Sequence, residues 1–357
     1  MDGLSAGRRP GAARFRRAAR GAAVGILVLV TGCSGLLGGS PPERPDGSGE
    51  KAAPVGQRPA GQVPYWVDPG GTAARRLAEL RRAGREEEAG LLERIAAQPV
   101  AEWIGADDPE GRTRELTEAA ERADRTALLV LYNIPHRDCG QYSQGGAADG
   151  DAYRAWLGAV AEGIGDRSAT VIVEPDALPH VLDGCTPGEF HEERYALLNE
   201  TVRRLKDLPG TTVYLDAGNP SWIRDPGAMA GALRRAGADR ADGFALNVSN
   251  YRTTGENVAY GRRLSALLGG KHFVIDTSRN GNGPADGAGD GGDAESWCNP
   301  PGRALGEAPT TDTGEELVDA YLWIKRPGES DGTCKGGPEA GAWWEKYALE
   351  LARNAGE

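Results

Sequence analysis

Several chemistries are excluded by what this 357-residue chain has little of. It carries only 4 His, and none of its 5 Cys forms a closely spaced pair, so a zinc enzyme or zinc ribbon lacks its ligands. Basic residues are outnumbered, 41 Lys and Arg against 52 Asp and Glu, and the net charge of -11 argues against nucleic acid as a partner. No apolar run reaches the ~18 residues that a membrane span requires. No Gly-rich dinucleotide fingerprint follows an early strand-like run, and no internal repeat is visible. Phe is scarce, 4 residues against 8 Trp and 10 Tyr. Phe is the default aromatic for burial, whereas Trp and Tyr suit surfaces that need one apolar face and one polar edge. The apolar fraction of 39% is still enough for a sizeable core, punctuated by 53 Gly and 23 Pro.

The N-terminus reads as an export signal. Arg8, Arg9, Arg14, Arg16, Arg17 and Arg20 precede an apolar stretch from Ala22 to Val30, a charged region followed by a short hydrophobic one. It ends in Val30-Thr31-Gly32-Cys33, which resembles a bacterial lipobox, so residues 1–32 are expected to be removed and Cys33 to carry a lipid. Their removal takes away six Arg and one Asp and leaves a mature chain near -16. Residues 33–61 follow the anchor as a Gly-, Pro- and Ser-rich disordered tether, and residues 62–357 form one domain. The expected location is outside the cell, either lipid-anchored on the outer face of the membrane or secreted. Setting Cys33 aside leaves Cys139, Cys185, Cys298 and Cys334, an even number that favours two disulfides in any of three pairings.

Beyond residue 63 short apolar runs alternate with amphipathic ones. Strands are predicted at 101–104, 127–133, 170–174, 212–216, 243–247, 272–276 and 320–325, with helices at 112–125, 150–164, 189–206, 228–236 and 256–268. Seven strands separated by helices indicate parallel β/α units, in a barrel or an open doubly wound sheet. Asp176, Asp216, Asn247, Asp276 and Lys325 fall at or just past strand ends. In a barrel such ends converge on one face, where active sites are assembled.

Six segments carry a resemblance: Tyr132-Asn133-Ile134-Pro135-His136-Arg137-Asp138-Cys139, Val173-Glu174-Pro175-Asp176, Tyr214-Leu215-Asp216-Ala217-Gly218, Asp276-Thr277-Ser278-Arg279-Asn280-Gly281, Trp297-Cys298-Asn299-Pro300, and Ile324-Lys325-Arg326-Pro327-Gly328-Glu329-Ser330-Asp331. In this order they resemble glycoside hydrolase family 6, the inverting cellulases, over about residues 62–353. The resemblance implies a distorted (β/α) barrel with about seven parallel strands, in a single catalytic domain. It implies hydrolysis of internal β-1,4-glucosidic bonds in a β-glucan by a monomer, with no cofactor and no metal.

The resemblance also implies roles. Asp176 is the expected general acid, and Asp138 the neighbour whose like charge keeps it protonated, since an isolated Asp near ~3.9 would be ionised at neutral pH. Asp331 is the expected base, roughly 6.5–9.5 Å from the acid so that the attacking water fits between. Tyr132 is expected beneath the sugar at the cleavage point and Asp216 behind the acid. Asn250, Lys325 and Glu329 are expected to bond sugar hydroxyls, and Arg279 either to pair with Asp331 or to tie down its loop. Trp103, Trp222 and Trp297 are the expected stacking platforms, while Trp66, Trp156, Trp323, Trp343 and Trp344 are read as packing. The disulfides implied are Cys139–Cys185 and Cys298–Cys334.

Two departures from the family pattern stand out. Asn219 occupies a position usually held by His, and Asn can hydrogen-bond but not carry charge. The residue that orients water on the loop after Cys139 is Ser143 if a one-residue shift is allowed, and Gln144 by strict spacing. Asp331 is followed within three residues by Cys334, too short for a tunnel-forming loop, and 284–296 is a modest Gly- and Asp-rich insertion. An open cleft and endo attack are therefore expected rather than exo action of the cellobiohydrolase type. A non-catalytic carbohydrate-binding lipoprotein would also use exposed Trp, but has no need of Asp138, Asp176 and Asp331 together.

Overall fold

The computed structural model describes residues 63–285 and 295–356. The expected signal, Cys33 and the tether, and most of the 284–296 insertion, lie outside the described residues. Seven strands form one sheet: β1 Glu102–Ile104, β2 Ala127–Leu131, β3 Ala169–Val173, β4 Thr211–Asp216, β5 Gly243–Leu246, β6 His272–Asp276 and β7 Val318–Leu322. Each pairs in parallel with the next in chain order, so the sheet runs β1 to β7 without a crossover in strand order. The sheet curls until Val100, before β1, meets Trp323, after β7, in a single parallel bridge. One bridge replaces a ladder, and this is the distortion of the barrel. The seven expected strands are all present, four of them one to three residues shorter than predicted at their C-terminal ends.

The strand sequences dictate this arrangement. Ala127–Leu131 and Ala169–Val173 are apolar at nearly every position and buried throughout, as parallel strands covered on both faces must be. Side chains alternate between faces with period two. Leu128, Val130, Ile172, Tyr214, Val274 and Leu322 point inward and fill the barrel. Leu129, Leu131, Val171, Val173, Val213 and Leu215 point outward, under the helices. Those helices are α3 Pro109–Arg122, α4 Gly150–Ile164, α5 Pro179–Leu182 with α6 His191–Lys206, α7 Pro226–Arg235 and α8 Thr254–Leu267. Four of these six starts carry side-chain caps, at Asp108, Asp149, Asp225 and Thr253: Asp149 accepts the Ala152 N–H at 2.8 Å, and Thr253 with Glu256 forms a capping box.

Besides the single-turn α5, three helices escaped the sequence pattern: α1 Thr72–Arg82, α2 Glu86–Ala96 and α9 Glu345–Asn354. They build a separate apolar cluster with Leu305 and Trp323 on the outer side where the barrel closes. The first of them, Thr-Ala-Ala-Arg-Arg-Leu-Ala-Glu-Leu-Arg-Arg, buries only Leu77 and Leu80, too few apolar positions to stand out from a charged loop. No described helix is long and apolar enough to cross a membrane.

Candidate active site

A cleft of about 710 Å³ opens over the C-terminal ends of the strands. Every candidate site residue lines it except Asp216 and Arg279, which sit buried behind Asp176 and Asp331. Residues far apart in sequence reach it because the backbone turns sharply where strands end. Glu174, Asp176, Asn247 and Ser249 all adopt left-handed backbone, an unfavourable conformation that surrounding hydrogen bonds must hold. Buried carboxylates supply those bonds. Glu174 accepts the N–H groups of Asn133 and Ile134 at 3.0 Å and the Tyr153 hydroxyl at 3.0 Å, locking the end of β3 to the end of β2. Asp276 accepts the N–H groups of Ser249 at 3.0 Å, Ser278 at 2.9 Å and Lys325 at 2.9 Å, joining the segments after β5, β6 and β7.

Asp176 is the focus of one wall. Its N–H donates to Asp216 Oδ2 at 3.0 Å, and the Tyr132 hydroxyl donates to its carboxyl. Burial pushes the Asp176 carboxyl up to about 6; His180 pulls against this and Asp138 adds to it. Like-charge repulsion from Asp138 was expected to dominate, but loss of water around the carboxyl is the larger cause. Asp216, behind it, is pushed well above the usual carboxylate range by burial and by Asp176, and its Oδ1 has no hydrogen-bond partner. Asp138 stands on the loop after β2 and accepts the Ser143 N–H at 2.6 Å. Burial raises its carboxyl too, against that hydrogen bond and the charges of His180 and Arg137.

Asp331 is the opposite case. Its Oδ2 accepts from Arg279 Nη1 at 2.8 Å, the Asn299 N–H at 3.0 Å and the Tyr251 hydroxyl at 3.1 Å. Lys325 Nζ lies 3.4 Å from Oδ1. Burial alone would raise this carboxyl, but Arg279 and Lys325 outweigh it and hold it below its ordinary value. Arg279 Nη2 also donates to the Ser249 carbonyl at 2.6 Å. The cleft thus has two environments for carboxyl groups, one that favours the acid near Asp176 and one that favours the anion at Asp331.

Aromatic faces line the remaining length. Trp103 lies within β1, donates Nε1–H to the Ile324 carbonyl at 2.9 Å and meets Tyr132 edge to face at 5.2 Å. Trp222 donates to Asp183 at 2.9 Å, and Trp297 faces Tyr142 at 6.1 Å. Asn219 turns its Oδ1 onto the N–H groups of Ser221 and Trp222, at 3.0 and 3.1 Å, so this oxygen shapes the turn that presents Trp222. Asn250 caps the Tyr251 N–H at 2.9 Å, and Glu329 pairs with Arg326 at 2.8 Å. Trp156 and Trp323 are buried in the core, while Trp66, Trp343 and Trp344 pack against it. Both implied disulfides are present, Cys139–Cys185 beside Asp138 and Cys298–Cys334 beside Asp331.

Four residues at the site were not anticipated. Arg137 stacks over the Tyr132 ring at 4.6 Å and donates to the Ser143 carbonyl at 2.8 Å. Tyr251 bonds Asp331, as noted. His180 and Asp183 lie beside Asp138 and Asp176, and one ring nitrogen of His180 and one oxygen of each of those two carboxyls are all within 4.8 Å of one another. The sequence signal was the closeness of His180 to the strand-end Asp176, four residues before it, with Asp183 capping the short helix that carries His180. The same cluster has donors for a cation, but the Asp176 carboxyl holds its proton more tightly than an ordinary ligand carboxylate. A second such cluster, Cys139, His180 and Cys185, has both sulfurs committed to a disulfide.

With this geometry in hand, comparison with known proteins is specific. The family model described as Glycosyl hydrolases family 6 matches residues 60–355. The chain is 45% identical over 269 residues to Endoglucanase A of Cellulomonas fimi, covering 74% of this chain and 56% of that protein. It is 40% identical over 309 residues to Endoglucanase A of Thermobispora bispora, covering 85% of this chain and 65% of that protein. The chain therefore spans less than two thirds of the length of these two relatives. Among solved structures it resembles the endoglucanase Cel6 from Mycobacterium tuberculosis in complex with methyl-cellobiosyl-4-deoxy-4-thio-beta-D-cellobioside. That likeness has a TM-score of 0.77 and 46% identity, and covers 83% of this chain and 99% of that one.

Proposed function

The chain belongs to glycosyl hydrolase family 6, and on that premise we propose that it hydrolyses internal β-1,4-glucosidic bonds of a β-glucan with inversion at the anomeric carbon. The observation that carries this reading is the pair of opposed carboxyl environments in one cleft: Asp176 raised to about 6 and Asp331 held low. A glycosidase needs that separation, one carboxyl kept as an acid and another as an anion. The aromatic faces of Trp103, Trp222 and Trp297 give the cleft platforms for the apolar faces of successive pyranose rings.

In the proposed reaction Asp176 transfers its proton to the glycosidic oxygen as the bond from that oxygen to C1 breaks. A water attacks C1 from the opposite face, forms the new C–O bond and gives up a proton towards Asp331, directly or through further water. Asp331 accepts from three donors and faces Lys325, which keeps it ionised and makes it a weak base. Tyr132, bonded to Asp176 and edge-on to Trp103, sets the position of the ring at the cleavage point. Ser143, whose N–H holds Asp138, is the proposed water-orienting residue. The short Asp331–Cys334 connection, together with relatives named endoglucanases, supports attack inside chains.

The test uses purified residues 34–357 and a soluble cellulose derivative. Viscosity should fall rapidly with the wild type, while Asp176→Ala should lose most activity and still bind cello-oligosaccharides. Equal activity in the two proteins would sink the mechanism, and tight binding without hydrolysis would make the protein a carbohydrate receptor. NMR of the first-formed anomer tests inversion. We also infer that Cys33 is lipidated after cleavage of residues 1–32. Expressed in a bacterial host, the full chain should partition into detergent, and Cys33→Ser should abolish this; equal partitioning would remove the anchor.

A further inference from the structure

His180 is almost completely buried, with an unusual set of neighbours for an imidazole. It is the second residue of the short helix α5, where its N–H donates to the Asp176 carbonyl at 2.9 Å, so its backbone is fixed relative to that residue. Nδ1 faces Asp183 Oδ2 at 3.4 Å. Asp183 is itself immobilised: Oδ1 accepts the Cys185 N–H at 2.8 Å and Oδ2 accepts the Trp222 indole N–H at 2.9 Å. The Trp222 ring meets His180 edge-on at 4.9 Å. Nε2 is buried and has no hydrogen-bond partner.

The groups facing the ring are therefore Asp183 from the segment after α5, Asp176 from the segment after β3, Asp138 from the loop after β2, the neutral Trp222 after β4 and the non-titrating Cys139–Cys185 disulfide. Three carboxyls surround one imidazole, and the charged groups that bear on the same carboxyls from further away are Arg137 and Lys325. This environment favours the imidazolium, and the ring's titration is displaced upward: burial opposes the charge, but Asp183, Asp176 and Asp138 outweigh it.

We propose that His180, held by Asp183, is a positioning residue whose cation balances the second negative charge created beside Asp138 when Asp176 gives up its proton. The proposal rests on the hydrolase reading above. In the step itself the Asp176 O–H bond breaks, the proton goes to the leaving oxygen, and His180 keeps both of its own protons. Without the cation, Asp138 and Asp176 would become two adjacent carboxylates in a poorly hydrated site, which raises the cost of proton transfer. Asp183 links this charge to Trp222, so a sugar-stacking platform and the charge behind the acid share one carboxylate.

A cation beside Asp176 lowers its proton affinity, so His180→Gln should move the alkaline limb of kcat/KM upward by about one pH unit and reduce kcat about tenfold, because the acid becomes too weak. Asp183→Asn should move the limb in the same direction by less. A purely structural role would lower activity without moving the limb, and that result overturns the proposal. Should His180→Gln fail to fold, NMR of the imidazole in the wild type decides: a ring still charged at pH 6.5 supports the proposal, and a ring neutral at pH 6 overturns it. The same spectra in Asp176→Asn should show His180 losing its proton at lower pH. That coupling can be read even if the wild type hydrolyses no glucan, which separates failure of this proposal from failure of the hydrolase reading.

Discussion

Replacing Asp176 by Asn should abolish hydrolysis and stabilise the fold at neutral pH, and the size of the second effect follows from the first. The carboxyl is raised from an ordinary 3.8 to about 6 in the folded protein, chiefly by burial. Between those two values the folded state binds a proton that the unfolded state has released. Stability is therefore greatest below about 3.8 and falls as pH rises through about 6, by at most about 3 kcal/mol at 1.36 kcal/mol per pH unit. Asn is nearly isosteric with the protonated acid and cannot ionise, so it removes this penalty. At pH 7.5 the variant should exceed the wild type by up to about 3 kcal/mol, or roughly 5–10 °C in melting temperature for a domain of this size. At pH 3.5, where both states are protonated in the wild type, the difference should shrink to a few tenths of a kcal/mol. The measurement is thermal unfolding of both proteins, disulfides intact, at the two pH values. An Asn variant with the same advantage at both would show that packing, not ionisation, separates the proteins, and no advantage at pH 7.5 would refute the raised carboxyl. A companion pH profile of wild-type kcat/KM should lose activity as pH rises through about 6.

Arg279→Leu should leave the Asp331 carboxylate buried with Lys325 as its remaining ionic partner, cost about 3–5 kcal/mol in urea unfolding and move the acidic limb of kcat/KM upward, since Arg279 is what chiefly holds that carboxyl low. An unmoved acidic limb would remove Asp331 from the catalytic titration. Joint replacement of Cys139 and Cys185 by Ser opens a 46-residue loop and should destabilise by about 4 kcal/mol in the chain-entropy estimate, while loosening the Asp138 turn. Calorimetry showing an unchanged melting temperature would count against that disulfide as a constraint on the unfolded chain.

Much of the fold was legible because buried parallel strands leave a strong trace. Runs such as Ala-Leu-Leu-Val-Leu at 127–131 and Ala-Thr-Val-Ile-Val at 169–173 are apolar at almost every position. Polar residues at their ends marked the catalytic face for the same reason: only there does a strand meet the cleft. Thr72–Arg82, Glu86–Ala96 and Glu345–Asn354 were illegible because all three begin without a side-chain cap that the sequence advertises, and the first two bury only a narrow stripe. The choice between barrel and open sheet was not local information either. It depends on Val100 reaching Trp323, more than two hundred residues away.

The site divides along the same line. By itself the sequence determined which residue types stand where: six ordered motifs, an Asp after β3, a second on the loop after β2, a third near the C-terminus, and Trp at intervals between them. Tertiary structure decided their chemistry. Asp138, Asp176, Asp216 and Asp331 are the same side chain, and nothing in their immediate sequence says that one is held as an acid near 6 and another as an anion below its ordinary range. That difference comes from solvent exclusion around Asp176 and from Arg279, after β6, and Lys325, after β7, converging on Asp331. His180 shows it most plainly, because its meaning comes from Asp138, Asp183 and Trp222, which three different loops bring to one imidazole. Burial and charge act through space over a few ångströms, and only the folded chain sets those distances.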